Sequence, residues 1–343
     1  MLSAFWEWVG FLGKVATLVI AFAVVVGIAG ASRGGKSKKG EGELKVRSLN
    51  DFYKKLHRAV ERMLLSRADL KSMKKAESKA AKQVKKEGLA STNKQKVFVI
   101  DFKGDMRASG VESLRHEVTA ALGHAKKTDE IVVRLESPGG SVDGYGLASS
   151  QLVRIRDAGI PLTICVDNVA ASGGYMMACI GDTIMCAPFA VLGSIGVVAS
   201  MPNVNRFLKK HDIDFEVVTA GNYKRTMTTF GENTDEGRVK FREELKAIHD
   251  LFKGFVSKYR STLDIDAIAT GEAWFGSDAV ERQLADKIMT SDEYLQQKVA
   301  SADLIHLQYQ IAKKGGLRAR LAGASADVIE TVVGRLINRP IGS

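Results

Sequence analysis

The chain has 343 residues, 45% of them hydrophobic and 26% charged, with 33 glycines, 5 prolines and 3 cysteines. That size and apolar content bury a sizeable core in one large or two modest domains; they exclude a collagen-like, low-complexity or disulfide-stapled chain, and no internal repeat recurs at a fixed period. The formal charge of +11 is unevenly placed: Arg33 to Glu87 holds 18 Lys or Arg against 7 Asp or Glu, so this one segment accounts for all of it.

From the N-terminus, Val15 to Ser32 is an uncharged run of 18 residues, long enough to cross a bilayer, and it predicts a membrane anchor over 1–32. The competing reading is a cleaved leader, with Ala29, Gly30 and Ala31 as a small-residue cleavage site; Glu7, Lys14 and the lack of a basic cluster before the run speak against it. Trp6 and Trp8 stand where an interfacial aromatic belt would lie, and Arg33, Lys36, Lys38 and Lys39 follow the span. By the positive-inside tendency these cations place the bulk of the chain on the cytoplasmic side, whereas a role in envelope quality control would suit the other face.

Residues 33–95 read as a basic helical connector, with Leu49, Phe52, Leu56, Ala59, Val60 and Met63 at helical spacing. Anionic headgroups are the simplest partner for such charge beside a span. Nucleic acid is not expected, because no stacking aromatics are interleaved with the basic residues.

At Lys96 the texture changes to strands alternating with helices, which predicts an α/β domain over 96–300 with largely parallel pairing. KVFVIDF is a strand, Val111, Leu114, Val118 and Leu122 mark a helix, and EIVVRL is a second strand. SPGGSVDGYG is a glycine-rich turn opening another helix, and PLTICV is a third strand leading into NVAASGGYMMAC. The uncharged run from Thr183 to Asn205 is broken by Pro188, Gly193, Ser194 and Gly196, so it reads as two buried strands and a turn rather than a second span. FEVVTA is one more strand, and Asp235 to Tyr259 is an amphipathic helix whose apolar face is expected to serve packing. The segment 301–343 ends in an amphipathic helix over Leu317 to Ile337, suited to a membrane, a neighbouring subunit or the chain's own core.

The cysteines Cys165, Cys179 and Cys186 lie in apolar surroundings without ligand spacing, so buried free thiols are expected and no metal. Ser172 is the residue that raises the question of chemistry: it is either a nucleophile or the start of a helix. A serine hydroxyl needs a base to take its proton. None of the six histidines carries the local signature of a triad base, and Ser172 lacks the GxSxG context. Lysine is the other option, provided desolvation or a neighbouring cation keeps it neutral. Lys224 closes the FEVVTA strand and a short GNY turn, with Arg225 beside it; taken alone it also fits a plain surface lysine. Gly139 and Gly140 in ESPGGS, and Gly173 after Ser172, could present bare amides to an oxyanion or serve only tight turns.

Together SPGGS, NVAASGGYMMAC, GSIG at 193–196, GNYKRTMTTFGENTDEGRVKFREEL and ATGEAWFGSDAVERQLADKI resemble the signal peptide peptidase A family of Ser/Lys proteases. The resemblance runs from the anchor to about Asp292, and the separation of Ser172 and Lys224 suits the single-domain members. It implies a ClpP/crotonase-like fold of repeated ββα units and a homo-oligomeric ring whose neighbouring subunits complete the sites. It also implies Ser172 as nucleophile, Lys224 as general base, Ser194 as the residue orienting the lysine amine, and amides of Gly173 and the Gly139/Gly140 turn as the oxyanion hole. The expected enzyme is a single-pass serine endopeptidase of the bacterial inner membrane, working without metal or nucleotide on signal-peptide remnants or envelope polypeptides. The rival readings are a crotonase-type acyl-CoA enzyme and a non-catalytic membrane scaffold. Gln283 departs from the family pattern, which usually has glycine there.

Overall fold

The computed structural model describes residues 42–66, 68–73, 75, 78–79 and 94–311. The expected anchor over 1–32 and the helix over Leu317 to Ile337 lie outside these residues. Among the described residues, no helix is long and apolar enough to cross a membrane.

In chain order the elements are β1 (Glu43–Ser48), α1 (Leu49–Leu64), β2 (Gln95–Lys103), α2 (Val111–Leu122), β3 (Glu130–Glu136), α3 (Val142–Asp157), β4 (Leu162–Val166), β5 (Val169–Ala171) and α4 (Gly173–Ala178). After them come β6 (Thr183–Cys186), β7 (Val191–Gly193), α5 (Asn205–Lys210), α6 (Asp235–Tyr259), α7 (Ile265–Ile268), β8 (Ala273–Phe275), α8 (Gly276–Glu281), β9 (Lys287–Ile288), α9 (Ser291–Lys298) and β10 (Ala302–Gln310). A seven-stranded sheet runs β1-β10-β2-β3-β4-β6-β9, and a small sheet runs β5-β7-β8. Every registered pair from β10 to β9 in the large sheet is parallel. The fold is therefore mixed α/β with a central, largely parallel sheet.

The alternation along β2 shows why both faces are covered. Phe98, Ile100 and Phe102 point to a core shared with Leu114 and Val118 of α2, Tyr145 and Leu152 of α3 and Tyr175 of α4. Val97 and Val99 point to the opposite core, closed by Tyr53 of α1 and Leu295 of α9. A parallel sheet needs helical crossovers and so acquires cover on both faces. Cys165, Cys179 and Cys186 are buried and free within these layers. Burial pushes their thiols up, Cys165 to about 12 and Cys186 to about 11, so they stay protonated and inert.

Three expectations are revised. The compact unit spans Leu44–Gln310, so the protein domain does not begin at Lys96. β1 is an edge strand of the large sheet, and the Asn50 side chain donates to the Val299 and Ala302 carbonyls and accepts from the Leu304 N–H, tying α1 to the start of β10. Residues 302–310, expected in the C-terminal helical segment, form β10. FEVVTA (215–220) forms no strand: among the described residues its backbone has no ladder partner, and Val218 is 93% exposed. The uncharged run over 183–205 does hold two short strands, β6 and β7.

The half-buried Asp101 and Arg134 and the buried His306 link β2, β3 and β10: Arg134 donates to both Asp101 oxygens at 2.6 and 2.9 Å, and His306 Nε2 lies 3.0 Å from Oδ2. Burial works against the Asp101 carboxylate, but the bonds from His306 and Arg134 outweigh it and hold its pKa down at about 2. Glu117 of α2 goes the other way, since burial, with nearby Asp101 adding to it, raises its pKa to about 7 against the bond it accepts from the Tyr309 N–H.

At the C-terminal end of α8, Gln283 takes φ 63°. Its N–H donates to Val280 and the Leu284 N–H to Ala279, the two bonds that close a helix through a left-handed residue. The turn that glycine usually makes is thus retained with glutamine, at a steric cost of roughly 1–2 kcal/mol.

Candidate active site

The site forms where β3, β4 and their successors leave the C-terminal edge of the large sheet, the usual position of sites on open α/β sheets. β3 ends at Glu136, and the chain turns through Ser137, Pro138, Gly139 and Gly140 into α3. β4 is followed by β5, which enters the small sheet, and by Ser172 and α4. A parallel bridge between Ser137 and Ala170 joins the two turns side by side, with Ser137 N–H donating to Val169 at 2.8 Å and Ala171 N–H to Ser137 at 3.0 Å.

Ser172 has φ 51° and ψ −119°, a conformation that costs an L-residue on the order of 1–3 kcal/mol. It is held there because its N–H donates to Gly193 of β7 at 2.8 Å while its carbonyl accepts from Met176 at 3.0 Å. A sharp strand-to-helix turn of this kind puts a serine hydroxyl at the tip of the bend, as in a nucleophile elbow, although the GxSxG pattern is absent. Sequence reading left open whether Ser172 starts a helix or serves as a nucleophile; structurally it is the residue preceding α4, bent so that its side chain reaches a cavity.

That cavity has a volume of about 630 Å³, and Ser172, Gly173, Gly139, Gly140 and Ser194 all line it. Ser194 sits at φ 51°, fixed by its N–H donating to Glu272 at 2.6 Å. The glycine turns pack backbone against backbone. A Cβ on Gly139, whose φ is 92°, would lie 2.8 Å from the Gly173 nitrogen and 2.7 Å from the Ala171 carbonyl. Gly139 donates its own N–H to Ser137 Oγ at 3.1 Å, so that amide is engaged within the turn. The amides of Gly140 and Gly173 carry no such partner among the described residues. Two bare N–H groups beside a serine at the mouth of a cavity can bind a developing oxyanion.

Lys224 is not brought to this cavity. It is exposed on the segment between α5 and α6, where its backbone N–H donates to Gly221 at 3.2 Å. No side chain among the described residues bonds the Ser172 hydroxyl. The same segment carries exposed apolar side chains, Phe215, Val218 and Tyr223, beside exposed polar ones such as Asn222 and Arg225.

Sequence reasoning missed one wall of the site. The apolar face of α6 was expected to serve packing, yet Ile248, His249 and Phe252 line the Ser172 cavity, whereas Leu251 of the same helix is exposed. His249 Nε2 lies 3.3 Å from the Ile195 carbonyl, and so ties α6 to the turn that carries Ser194. A histidine one residue after Ile248 and three before Phe252 was the available signal. The other histidines are elsewhere: His116 stacks on Tyr309, His124 bonds Ala120 and His306 bonds Asp101. Thr270 and Gly271, from the threonine-glycine turn, complete the rim.

The sequence matches the Peptidase family S49 N-terminal region over residues 3–152 and Peptidase family S49 over residues 154–304. It is 47% identical over 312 residues to the probable protease SohB of Haemophilus influenzae, covering 88% of each chain. It is 54% identical over 226 residues to the probable protease SohB of Buchnera aphidicola, covering 66% of this chain and 67% of that one. Among solved structures it is similar to a mutant of the 1510-N membrane-bound stomatin-specific protease in complex with a substrate peptide, at 14% identity and a TM-score of 0.41, over 68% of this chain and 99% of that one. The chain therefore belongs to peptidase family S49, as a SohB-like protease.

Proposed function

We propose that this protease is a membrane-anchored serine endopeptidase on a ClpP/crotonase-like fold, with Ser172 as nucleophile and Lys224 as its general base. The observation that carries the reading is the strained Ser172 turn at a cavity, beside the amides of Gly140 and Gly173. Ser172 Oγ attacks the scissile carbonyl, its proton passes to the neutral Lys224 amine, and the two amides receive the oxyanion. Collapse of that intermediate expels the amine half of the peptide, which takes the proton from Lys224; water then enters by the same path and frees the acyl half. Ser194 orients the lysine amine, and Gly139 gives the turn its close approach. Family membership supports the peptidase class over the acyl-CoA and scaffold readings.

Because Lys224 lies on an exposed segment away from its own chain's cavity, the reading includes a homo-oligomer in which Lys224 of one copy serves Ser172 of the next. The substrates are signal-peptide remnants or envelope polypeptides, cleaved beside the inner membrane to which the run over Val15 to Ser32 holds the chain, with the catalytic unit on the cytoplasmic side. A second reading keeps Ser172 and makes His249 the base; what favours it is that His249 lines the Ser172 cavity of the same chain.

One experiment separates these. Wild type, Ser172→Ala, Lys224→Ala and His249→Ala are incubated with a fluorophosphonate probe and with an unfolded protein substrate, and the two variants Ser172→Ala and Lys224→Ala are then mixed. Loss of labelling and cleavage in Ser172→Ala and Lys224→Ala, with cleavage regained on mixing, is the expected result. Loss in His249→Ala with a fully active Lys224→Ala would transfer the base to the histidine, and cleavage by Ser172→Ala would end the serine-protease mechanism.

A further inference from the structure

Beneath the glycine turn lies a buried polar chain that the chemistry above does not use. Ser137 and Tyr145 are both fully buried. Tyr145 Oη donates to the Asp105 carbonyl at 2.9 Å and lies 2.5 Å from Ser137 Oγ. A phenol has one proton, and it is committed to Asp105, so Ser137 is the donor in the shorter contact. Ser137 Oγ in turn accepts the Gly139 N–H. The bonds thus run in one direction, from the Gly139 amide through the Ser137 and Tyr145 hydroxyls to the Asp105 carbonyl, and bonds aligned in this way polarise one another. Burial holds the Tyr145 phenol above its ordinary pKa, against the Ser137 bond, so it remains a donor.

The same two residues meet the backbone of the site from below. A Cβ on Gly173 would fall 2.4 Å from the Tyr145 ring, and one on Gly174 would fall 2.4 Å from the Ser137 carbonyl. At the other end, the Met106 carbonyl, next to Asp105, accepts from Ser141 at 2.8 Å and leaves Gly140 no room for a side chain, since a Cβ there would lie 2.3 Å from it. The turn before α3 is therefore clamped from two sides, and the residue following Ser172 rests on the Tyr145 ring.

We infer that Ser137 and Tyr145 are positioning residues for the oxyanion-binding backbone, holding the Gly140 and Gly173 amides at a fixed separation through the bond chain to Asp105. The inference rests on Ser172 acting as nucleophile. It assigns the SPGGSVDGYG stretch a second function besides making a turn: its first serine and its tyrosine, eight residues apart, lock the amides that lie between and beside them.

The test uses the full-length protein in detergent with an internally quenched peptide that the wild type cleaves, and a peptide aldehyde of the same acyl sequence, which adds to the serine as a hemiacetal. Tyr145→Phe keeps the ring and deletes the hydroxyl; Ser137→Ala breaks the same chain one link earlier. Each is expected to lower kcat by about 10- to 100-fold, since sub-ångström misplacement of catalytic groups costs of that order, with KM within about 2-fold of wild type. Affinity for the aldehyde should fall by the same factor as kcat, and the double variant should be no worse than either single one, because the chain is already broken. Wild-type kcat in both variants overturns the inference, as does a loss confined to KM. If one variant does not fold, the other carries the test; failure of both to fold assigns the pair to stability and also overturns it. Ser172→Ala run alongside keeps the two readings apart: if it still turns over, the nucleophile assignment falls, whereas if it is dead and Tyr145→Phe is wild type, this inference alone falls.

Discussion

The two parts of the proposed dyad sit in very different surroundings. Ser172 is held by backbone bonds from β7 and α4, with glycine turns packed so closely around it that single Cβ atoms do not fit. Lys224 lies on a surface segment without regular structure, among exposed Val218, Phe215 and Tyr223. On the proposed reading, the nucleophile and oxyanion donors come entirely from the chain's own core, and the base is placed by something outside that core. A fully preorganised half lowers the cost of charge development, while a half that waits for a partner makes activity depend on assembly.

The sharpest way to break this comparison is to measure activity and stability together. Lys224→Ala should lower peptide turnover by about 10³-fold or more yet shift unfolding free energy by less than about 0.5 kcal/mol, as exposed substitutions do. A large stability loss, read from denaturant unfolding, would mean the lysine is buried in the working protein and the contrast is not as drawn. On the other side, Gly139→Ala should hurt both properties. The new Cβ meets backbone atoms at 2.7 and 2.8 Å at a φ of 92°, so we expect a loss of roughly 2–4 kcal/mol of stability together with loss of serine labelling.

The packed half should also be the pH-sensitive half. Glu117 is protonated in the folded protein up to about 7, whereas an unfolded glutamate ionises near its ordinary value of about 4.3. Between these values the folded state binds more protons than the unfolded one, so this group's contribution to stability declines as pH rises from about 4.3 to 7. Glu117→Gln should flatten that decline and leave the variant more stable than wild type at pH 8, by roughly 1–3 kcal/mol. Asp101 has the opposite sign: its contribution is present above about pH 4 and disappears as pH falls toward 2. Unfolding curves of both proteins at pH 5 and pH 8 check this, and an unchanged difference between the two pH values would refute the Glu117 assignment.

The smallest effect compares two left-handed residues. Gln283→Gly should raise stability by about 1 kcal/mol and leave turnover unchanged, because Gln283 does not line the Ser172 cavity. Ser172→Gly relieves a similar strain but should abolish turnover. If Gln283→Gly instead reduced activity, the α8 turn would have to be counted with the packed catalytic half.

Much of the fold was legible because it is written in local periodicity. The alternation of Val97, Phe98, Val99 and Ile100, and the spacing of Val111, Leu114, Val118 and Leu122, specify strand and helix whatever lies around them. FEVVTA shows the limit of that reading, since a strand needs an edge to pair with and among the described residues it has none. β1 shows the converse: ELKVRS, taken for part of a connector, becomes a strand because β10 offers an edge.

Residue types at fixed spacings carried the alternation of strands and helices from β2 to β4, the buried thiols, the family and the candidates Ser172, Ser194, Gly140 and Gly173. That the Gly139 amide is turned inward to Ser137, that His249 walls the cavity, that the Tyr145 ring lies against Gly173 and that Lys224 stands apart follows from tertiary contacts alone. Those are facts about which distant segments meet. Contacts between residues far apart in the chain depend on packing and on the entropy of closing the loops between them, which no local pattern encodes.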